Sequence, residues 1–365
     1  MTVEDAAAEI REHAAAGRAV RPRGGGTKLG WSPATDATVD FDARRLDRIV
    51  EHNEGDFTAI LEAGVPLVEA QAQFERAGQM LALDPPLGAG DAATLGGVIA
   101  TNDSGPLRHR YGGVRDLVVG ITVVLSDGTV AQSGGKVIKN VAGYDLAKLF
   151  AGSFGTLGLI ARVAVRLHPA PERTATLTAE TGDAGALGRA ARGLAALPLE
   201  AESLDVGWEG DTGRLAVRFG GARAVDRAHE AARHVDLGET QIIDDDQELW
   251  ARERARQRRP DGVVIKVSAR PTDLETIIGV ARDAGATVIA RAALGLAWIA
   301  APADVDIAAV REALAPRACT VLDGADRVGD PWPAVQPGAL AVMERIKERF
   351  DPARTFRPGA FVGGL

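Results

Sequence analysis

The chain has 365 residues, 46% hydrophobic and 25% charged, the balance of an ordinary globular protein and long enough to predict two domains rather than one core. Its net charge of −8 and pI near 5.4 argue against nucleic acid or an anionic membrane as partner, because their phosphates would repel the surface. No stretch approaches the roughly 20 apolar residues of a membrane span, the N-terminus has no signal-peptide core, and one cysteine, Cys319, leaves no internal disulfide or cysteine-ligated cluster, so a cytoplasmic location is expected.

Residues 3–16 predict an acidic amphipathic helix, and RAVRPRGGGTK a short strand that breaks into a glycine loop. TVDFDARRLDRIVEHN and FTAILEAGV read as strands around a helical turn, PLVEAQAQFERAGQML as an amphipathic helix ending at Gly78, and VVGITVVLSDGTVA as a strand pair turning at Asp127-Gly128. A helix over YDLAKLFAG and a strand over LIARVAVRLHP close this region, and the prolines and threonines of PAPERTATLT read as a boundary. Beyond it, SLDVGWEG, GRLAVRFGG, AVDRAHEAARHV, VVIKVSARP, DLETIIGVARDAG, TVIARAALGLAWIAAP, DIAAVREALAP and TVLDG alternate helices with mostly antiparallel strands, the ferredoxin-like α+β pattern, compatible with two related halves. The tail predicts a helix stopping at Asp351-Pro352 and then an extended Pro/Gly segment. The expected division is 1–168, 169–330 and 331–365.

Three glycine-rich runs stand out: RPRGGGTK at residues 21–28, DPPLGAGDAATLGGVIATNDSG at 84–105 and GSFGTLGLI at 152–160. A phosphate ester needs several backbone N–H donors converging on it, and glycine lets the main chain come that close and take positive φ. Three such runs imply one extended ligand. The cofactor-binding candidates are Arg23, Gly24, Gly25, Gly26, Thr27 and Lys28 in the first run; Gly88, Thr94, Gly96, Gly97, Thr101, Asn102, Ser104 and Gly105 in the second; and Gly155, Gly158 and Ile160 in the third.

These segments resemble the FAD-binding domain of the vanillyl-alcohol oxidase/PCMH superfamily, and the KNVAGYD run at residues 139–145 is similar to that of the FAD-binding E subunits of bacterial glycolate oxidases. The resemblance covers residues 1–168 and the last twenty or so. It implies an α+β fold: a PCMH-type FAD-binding domain of two α+β subdomains, a ferredoxin-like α/β cap, and a C-terminal segment returning to the FAD domain. It also implies that the first run meets the diphosphate, that the T-x-G-G turn and following polar run meet diphosphate, ribityl chain and flavin ring, and that the third run lies beside the adenine. Where many relatives have glutamate this chain has Phe154, and where covalent relatives have histidine after the glycine run it has Thr27, so non-covalent FAD is expected. The implied partners are a catalytic FAD (D) subunit, an iron–sulfur subunit and a small hydroxy acid, with glycolate oxidised to glyoxylate.

Oxidising a 2-hydroxy acid on a flavin requires a base, a cation for the carboxylate and a hydride path. Related catalytic enzymes carry an H-x-G-D-G-N-x-H type stretch that can hold a metal; this chain has none. Its six histidines are His13, His52, His109, His168, His229 and His234, and the last two are five apart, the wrong spacing for one helical face. No catalytic or metal residue is assigned. Arg252, Arg254, Arg256, Arg258 and Arg259 could serve a carboxylate or a partner, or form a solvated helix face, and Trp250 and Trp298 read as core. Lys139 is either an electrostatic neighbour of the cofactor or a surface lysine held by Asp145, and His109 either a site neighbour or a surface loop residue. The alternatives to the complex subunit are a stand-alone FAD-linked oxidoreductase acting on another hydroxy acid or alcohol, and an assembly protein that kept the fold without the cofactor.

Overall fold

The computed structural model describes residues 1–35, 38–135 and 145–365; Lys139 and most of the KNVAGYD run lie outside them. The chain divides into two compact units, residues 1–104, 112–170 and 334–365 in one, and residues 105–111 and 171–333 in the other.

The first unit opens with the helix Val3–Ala15, started by a reciprocal capping box in which the Thr2 hydroxyl takes the Asp5 amide and the Asp5 carboxylate takes the Thr2 amide. Its buried face, Val3, Ala6, Ala7 and Ile10, packs against Val20, Phe41, Leu46, Leu159 and Phe356. Strands β1 (Ala19–Arg23) and β2 (Thr38–Asp42) pair in parallel, so the chain between them must cross from the carboxyl end of one to the start of the other. The glycine run begins this crossing. β3 (Ile49–Asn53), β4 (Thr58–Glu62), β6 (Val118–Val124), β7 (Val130–Gly134) and β8 (Leu159–Arg166) form an antiparallel sheet in the order β3-β4-β8-β6-β7, while β5 (Gln79–Met80) and β9 (His168–Pro169) make a separate short pair. The β6–β7 hairpin turns at Gly128 with φ +80°, as the Asp-Gly pair predicts.

The tail belongs to this unit. After the helix Pro337–Phe350, Phe356 bridges Val20 in parallel, the Val20 amide donates to the Thr355 carbonyl and the Arg357 amide to the Val20 carbonyl. A buried clamp fixes this turn. Lys347 Nζ donates to Asp351 Oδ2 at 2.7 Å and to the carbonyls of Thr156 at 2.6 Å and Phe356 at 2.8 Å, and Asp351 takes the amides of Thr355 and Phe356.

The second unit is one antiparallel sheet of eight strands: β10 (Thr174–Thr181), β11 (Ser203–Glu209), β12 (Thr212–Gly220), β13 (Thr240–Ile243), β14 (Val263–Ser268), β15 (Thr287–Arg291), β16 (Leu296–Ala301) and β17 (Ala318–Val321), ordered β13-β10-β12-β11-β15-β16-β14-β17. Each set of four, with its two crossover helices, is a βαββαβ ferredoxin-like half, and the halves join where Val206, Gly207 and Trp208 pair with Ala290, Ile289 and Val288. The two units divide between Ala170 and Pro171, inside PAPERTATLT, and the threonines of that run already belong to the next strand. Residues 174–181 form β10, buried on both faces at Ala175–Ala179, because β-branched threonine alternating with apolar residues suits a pleated strand.

The sheet's two faces differ in kind. Ala175, Leu177, Leu204, Val206, Val217, Ile265, Val267, Val288 and Ile299 point into the main core with the helices Ala184–Ala195, Ala224–Ala232, Leu274–Asp283 and Ile307–Leu314. Their neighbours along each strand face the other way, and these include Thr176, Asp205, Arg218, Arg291 and Trp298. Arg291 is fully buried there, 3.4 Å from Asp205 and stacked 4.7 Å from the Trp298 ring centroid. Trp250 and Trp298 are core residues, as expected. The arginine cluster divides: Arg252 is exposed on its helix, as a solvated face would have it, whereas Arg258 pairs with Asp323, Arg259 donates to the Ala300 carbonyl and Arg256 reaches Glu209. Among the described residues no helix is long and apolar enough to cross a membrane.

Candidate cofactor site

The three glycine runs and the tail converge on one open cleft of about 730 Å³ in the first unit. It is lined by Pro22, Gly24, Gly25, Gly26, Thr27 and Lys28 of the first run, Thr94, Gly96, Gly97 and Thr101 of the second, Phe154, Gly155, Gly158 and Ile160 of the third, and Arg357 of the tail. Five predicted residues stand elsewhere. The Arg23 guanidinium turns to Asp40 at 3.2 Å, Gly88 lies under Thr27, Asn102 caps the helix Leu95–Thr101 in the left-handed region, buried Ser104 gives its amide to Asp103, and Gly105 belongs to the second unit.

The glycines act by close approach more than by unusual φ. Only Gly26 of the triplet has positive φ, at +74°. A Cβ on Gly24 would collide with the Thr94 hydroxyl, and one on Gly25 with the Ala92 carbonyl oxygen, so the first two runs interlock backbone to backbone. This frees donors on one side and uses them on the other. Among the described residues the Gly25 and Gly26 amides have no acceptor, whereas the Gly96 amide donates to the Ala63 carbonyl at 2.7 Å and the Gly97 amide makes a long 3.4 Å bond to Thr94 Oγ1. The first run therefore keeps free backbone amides, and the second packs closely on its neighbours: a Cβ on Gly96 would press on Ala63.

Charge in the cleft is unevenly matched. Lys28 is buried 3.3 Å from Asp103 and 5.6 Å from the Trp31 ring centroid. Asp40 is shared by Arg21 at 2.6 Å and Arg23 at 3.2 Å, and the hydrogen bond from Arg21 holds its carboxyl below the usual range. Arg357, 7% exposed, donates to the Phe154 carbonyl at 2.7 Å and to the Ser32 hydroxyl, both neutral. Burial, with Arg21 adding repulsion, pulls its guanidinium down to about 10. Sequence reasoning missed this residue. The Pro/Gly tail signalled a return to the domain but not which side chain would enter the cleft.

His109 lies in the second unit, its ring partly buried and its pKa lowered by that burial, with no hydrogen bond to Nδ1 among the described residues. Nearby in sequence, the Tyr111 hydroxyl donates to Glu202 Oε1 at 3.0 Å. Burial raises the Glu202 pKa from its ordinary 4.5, against the opposing pull of Tyr111, Arg218 and Arg110 and with a small push from Asp246. The stabilising contribution of protonated Glu202 is complete below that ordinary value and is lost as pH rises through the higher folded one. Glu202→Gln is therefore expected to gain on wild type as pH rises from 4.5 towards neutrality, read as a widening gap between thermal midpoints. A gap independent of pH would show that Glu202 ionises freely.

A family model described as "FAD binding domain" matches residues 1–134. Glycolate oxidase subunit GlcE of Escherichia coli K12 is 38% identical over 148 residues, 40% of this chain and 41% of that protein. Glycolate oxidase subunit GlcD of Bacillus subtilis 168 is 38% identical over 159 residues, covering 43% of this chain and 33% of that one. The mitochondrial D-lactate dehydrogenase [cytochrome] of Arabidopsis thaliana is 36% identical over 154 residues, 42% of this chain and 26% of that one. The chain thus spans less than half the length of these curated relatives. A solved structure of alkyldihydroxyacetonephosphate synthase shares the fold, with a TM-score of 0.73 over 97% of this chain and 75% of its own at 17% identity. At Gly24 and Gly25 any side chain would run into Thr94 or Ala92, so the close packing of these runs that line the cleft requires glycine there.

Proposed function

We propose that this chain is the FAD-holding subunit of a glycolate oxidase (glycolate dehydrogenase) complex, oxidising glycolate to glyoxylate with a catalytic FAD subunit and passing electrons to an iron–sulfur subunit. The observation that carries the reading is the cleft itself, where free amides of Gly25 and Gly26 face a floor made by Thr94, Gly96 and Gly97. The named relatives act on hydroxy acids, which favours that substrate class. Bound FAD supplies the hydride acceptor. The residues of the chain bind and orient it, Thr27 standing in the cleft without a histidine to attach it covalently.

None of the described residues lining the cleft is a histidine, aspartate or glutamate, so none of them offers an imidazole or carboxylate base for the substrate's hydroxyl proton. Base assistance is worth on the order of 10²–10⁴ in rate. The isolated, FAD-loaded chain is therefore expected to release its flavin into the supernatant on acid precipitation and to be reduced only slowly by glycolate or D-lactate under anaerobic conditions, with fast reduction once the catalytic and iron–sulfur subunits are added. Rapid bleaching by the chain alone would replace this reading with a stand-alone oxidoreductase. A colourless protein that takes up no FAD would replace it with an assembly role.

A further inference from the structure

The cleft contains a cation with no anion bonded to it among the described residues. Arg357 is 7% exposed, both of its hydrogen bonds go to neutral oxygens, and its Nε has no partner among the described residues. The acidic group that acts on it, Asp40, is already shared by Arg21 and Arg23. Asp40 is thus committed to two partly exposed guanidinium groups, and Arg357 has no carboxylate within ion-pair distance among the described residues. A guanidinium cannot shed its proton, and burying one without an anion is costly.

Its position is also held by force. Arg357 takes a left-handed backbone conformation, φ 42°, which a residue with a side chain avoids, and the Phe154 carbonyl it binds belongs to a residue in the same region, φ 55°. The Lys347–Asp351 clamp fixes Thr355 and Phe356 just before it, and the Arg357 amide is tied to Val20. The stem lies along Gly155, where a Cβ would touch its Cδ at 3.7 Å.

We infer that Arg357 is the counter-charge for a phosphate-ester anion in this cleft, supplying the diphosphate of the dinucleotide with the full positive charge that the Gly25 and Gly26 amides, being dipoles, lack. The inference rests on the reading that this cleft is where FAD binds. Guanidinium forks suit phosphate oxygens, and a bound phosphate ester would supply the anion that the buried Arg357 lacks.

The test is fluorescence titration of the flavin-free chain with FAD and with riboflavin, which has no phosphate, in wild type, Arg357→Met and Arg357→Lys. Arg357→Met is expected to weaken FAD binding about 10- to 100-fold, as loss of a charge-assisted bond should, with riboflavin binding unchanged and Arg357→Lys recovering part of the loss. FAD affinity should also fall more steeply with added salt in wild type than in R357M. A second measurement needs no variant: millimolar pyrophosphate should raise the thermal midpoint of the flavin-free wild type. Equal FAD affinity in wild type and a folded R357M, or no pyrophosphate effect on a wild type that binds FAD, overturns the inference alone. A wild type that binds neither FAD nor riboflavin overturns the assignment of the cleft with it.

Discussion

Gly25→Ala is expected to yield a protein that melts several degrees lower and is purified without flavin. The added methyl would enter the van der Waals shell of the Ala92 carbonyl oxygen, a main-chain atom that cannot swing away as a flexible side chain could. Relieving that overlap means pulling the first two glycine runs apart, at a cost of about 3 kcal/mol. The free Gly25 and Gly26 amides would then shift relative to the rest of the cleft lining. Gly30→Ala is the matched control, since a Cβ there meets nothing within 4 Å. Thermal unfolding and flavin content of the two variants decide the matter. A Gly25→Ala protein with wild-type flavin and midpoint would mean that the runs do not interlock.

Lys347→Met should be the most damaging change in the tail. It removes the ammonium from a pair in which Lys347 is 2% exposed and Asp351 is fully buried, leaving a carboxylate with only backbone amides for compensation. Breaking a buried pair from one side typically costs about 3–5 kcal/mol. The same ammonium also ties the Thr156 and Phe356 carbonyls together, so residues 351–357 should become open to protease. Adding Asp351→Asn should recover part of the loss, because the stranded charge goes with it. Urea unfolding of the single and double variants, with limited proteolysis, measures both effects. A single variant within about 0.5 kcal/mol of wild type would show the clamp to be incidental.

Local patterns made much of this legible. The Asp127-Gly128 turn, the helix Val3–Ala15 and the α+β order of the second unit all follow from periodicity and turn residues. β10 did not, because its threonines sit beside prolines and read as punctuation; only pairing with β12 and β13 shows them to be strand. The site divides in the same way. Glycine spacing pointed to the residues of the cleft but not to their division of labour, since whether an amide is free or spent depends on partners such as Ala63 and Ala92, each in another segment. Arg357 was invisible for a related reason: its meaning comes from Val20, Ser32 and Phe154, all distant in the chain.

The bridge from Val20 to Phe356 also imposes an order on biosynthesis. β1 is made before the second unit, yet its outer edge stays unpaired until residues 355–357 have been translated, after the whole of that unit. The second unit, continuous apart from residues 105–111, can fold while translation proceeds, whereas the nucleotide cradle must wait for the tail. Closure of the cleft is thereby placed after residues 355–357 have been made. A ribosome stalled before residue 355 would carry a folded second unit and an exposed, cofactor-free β1.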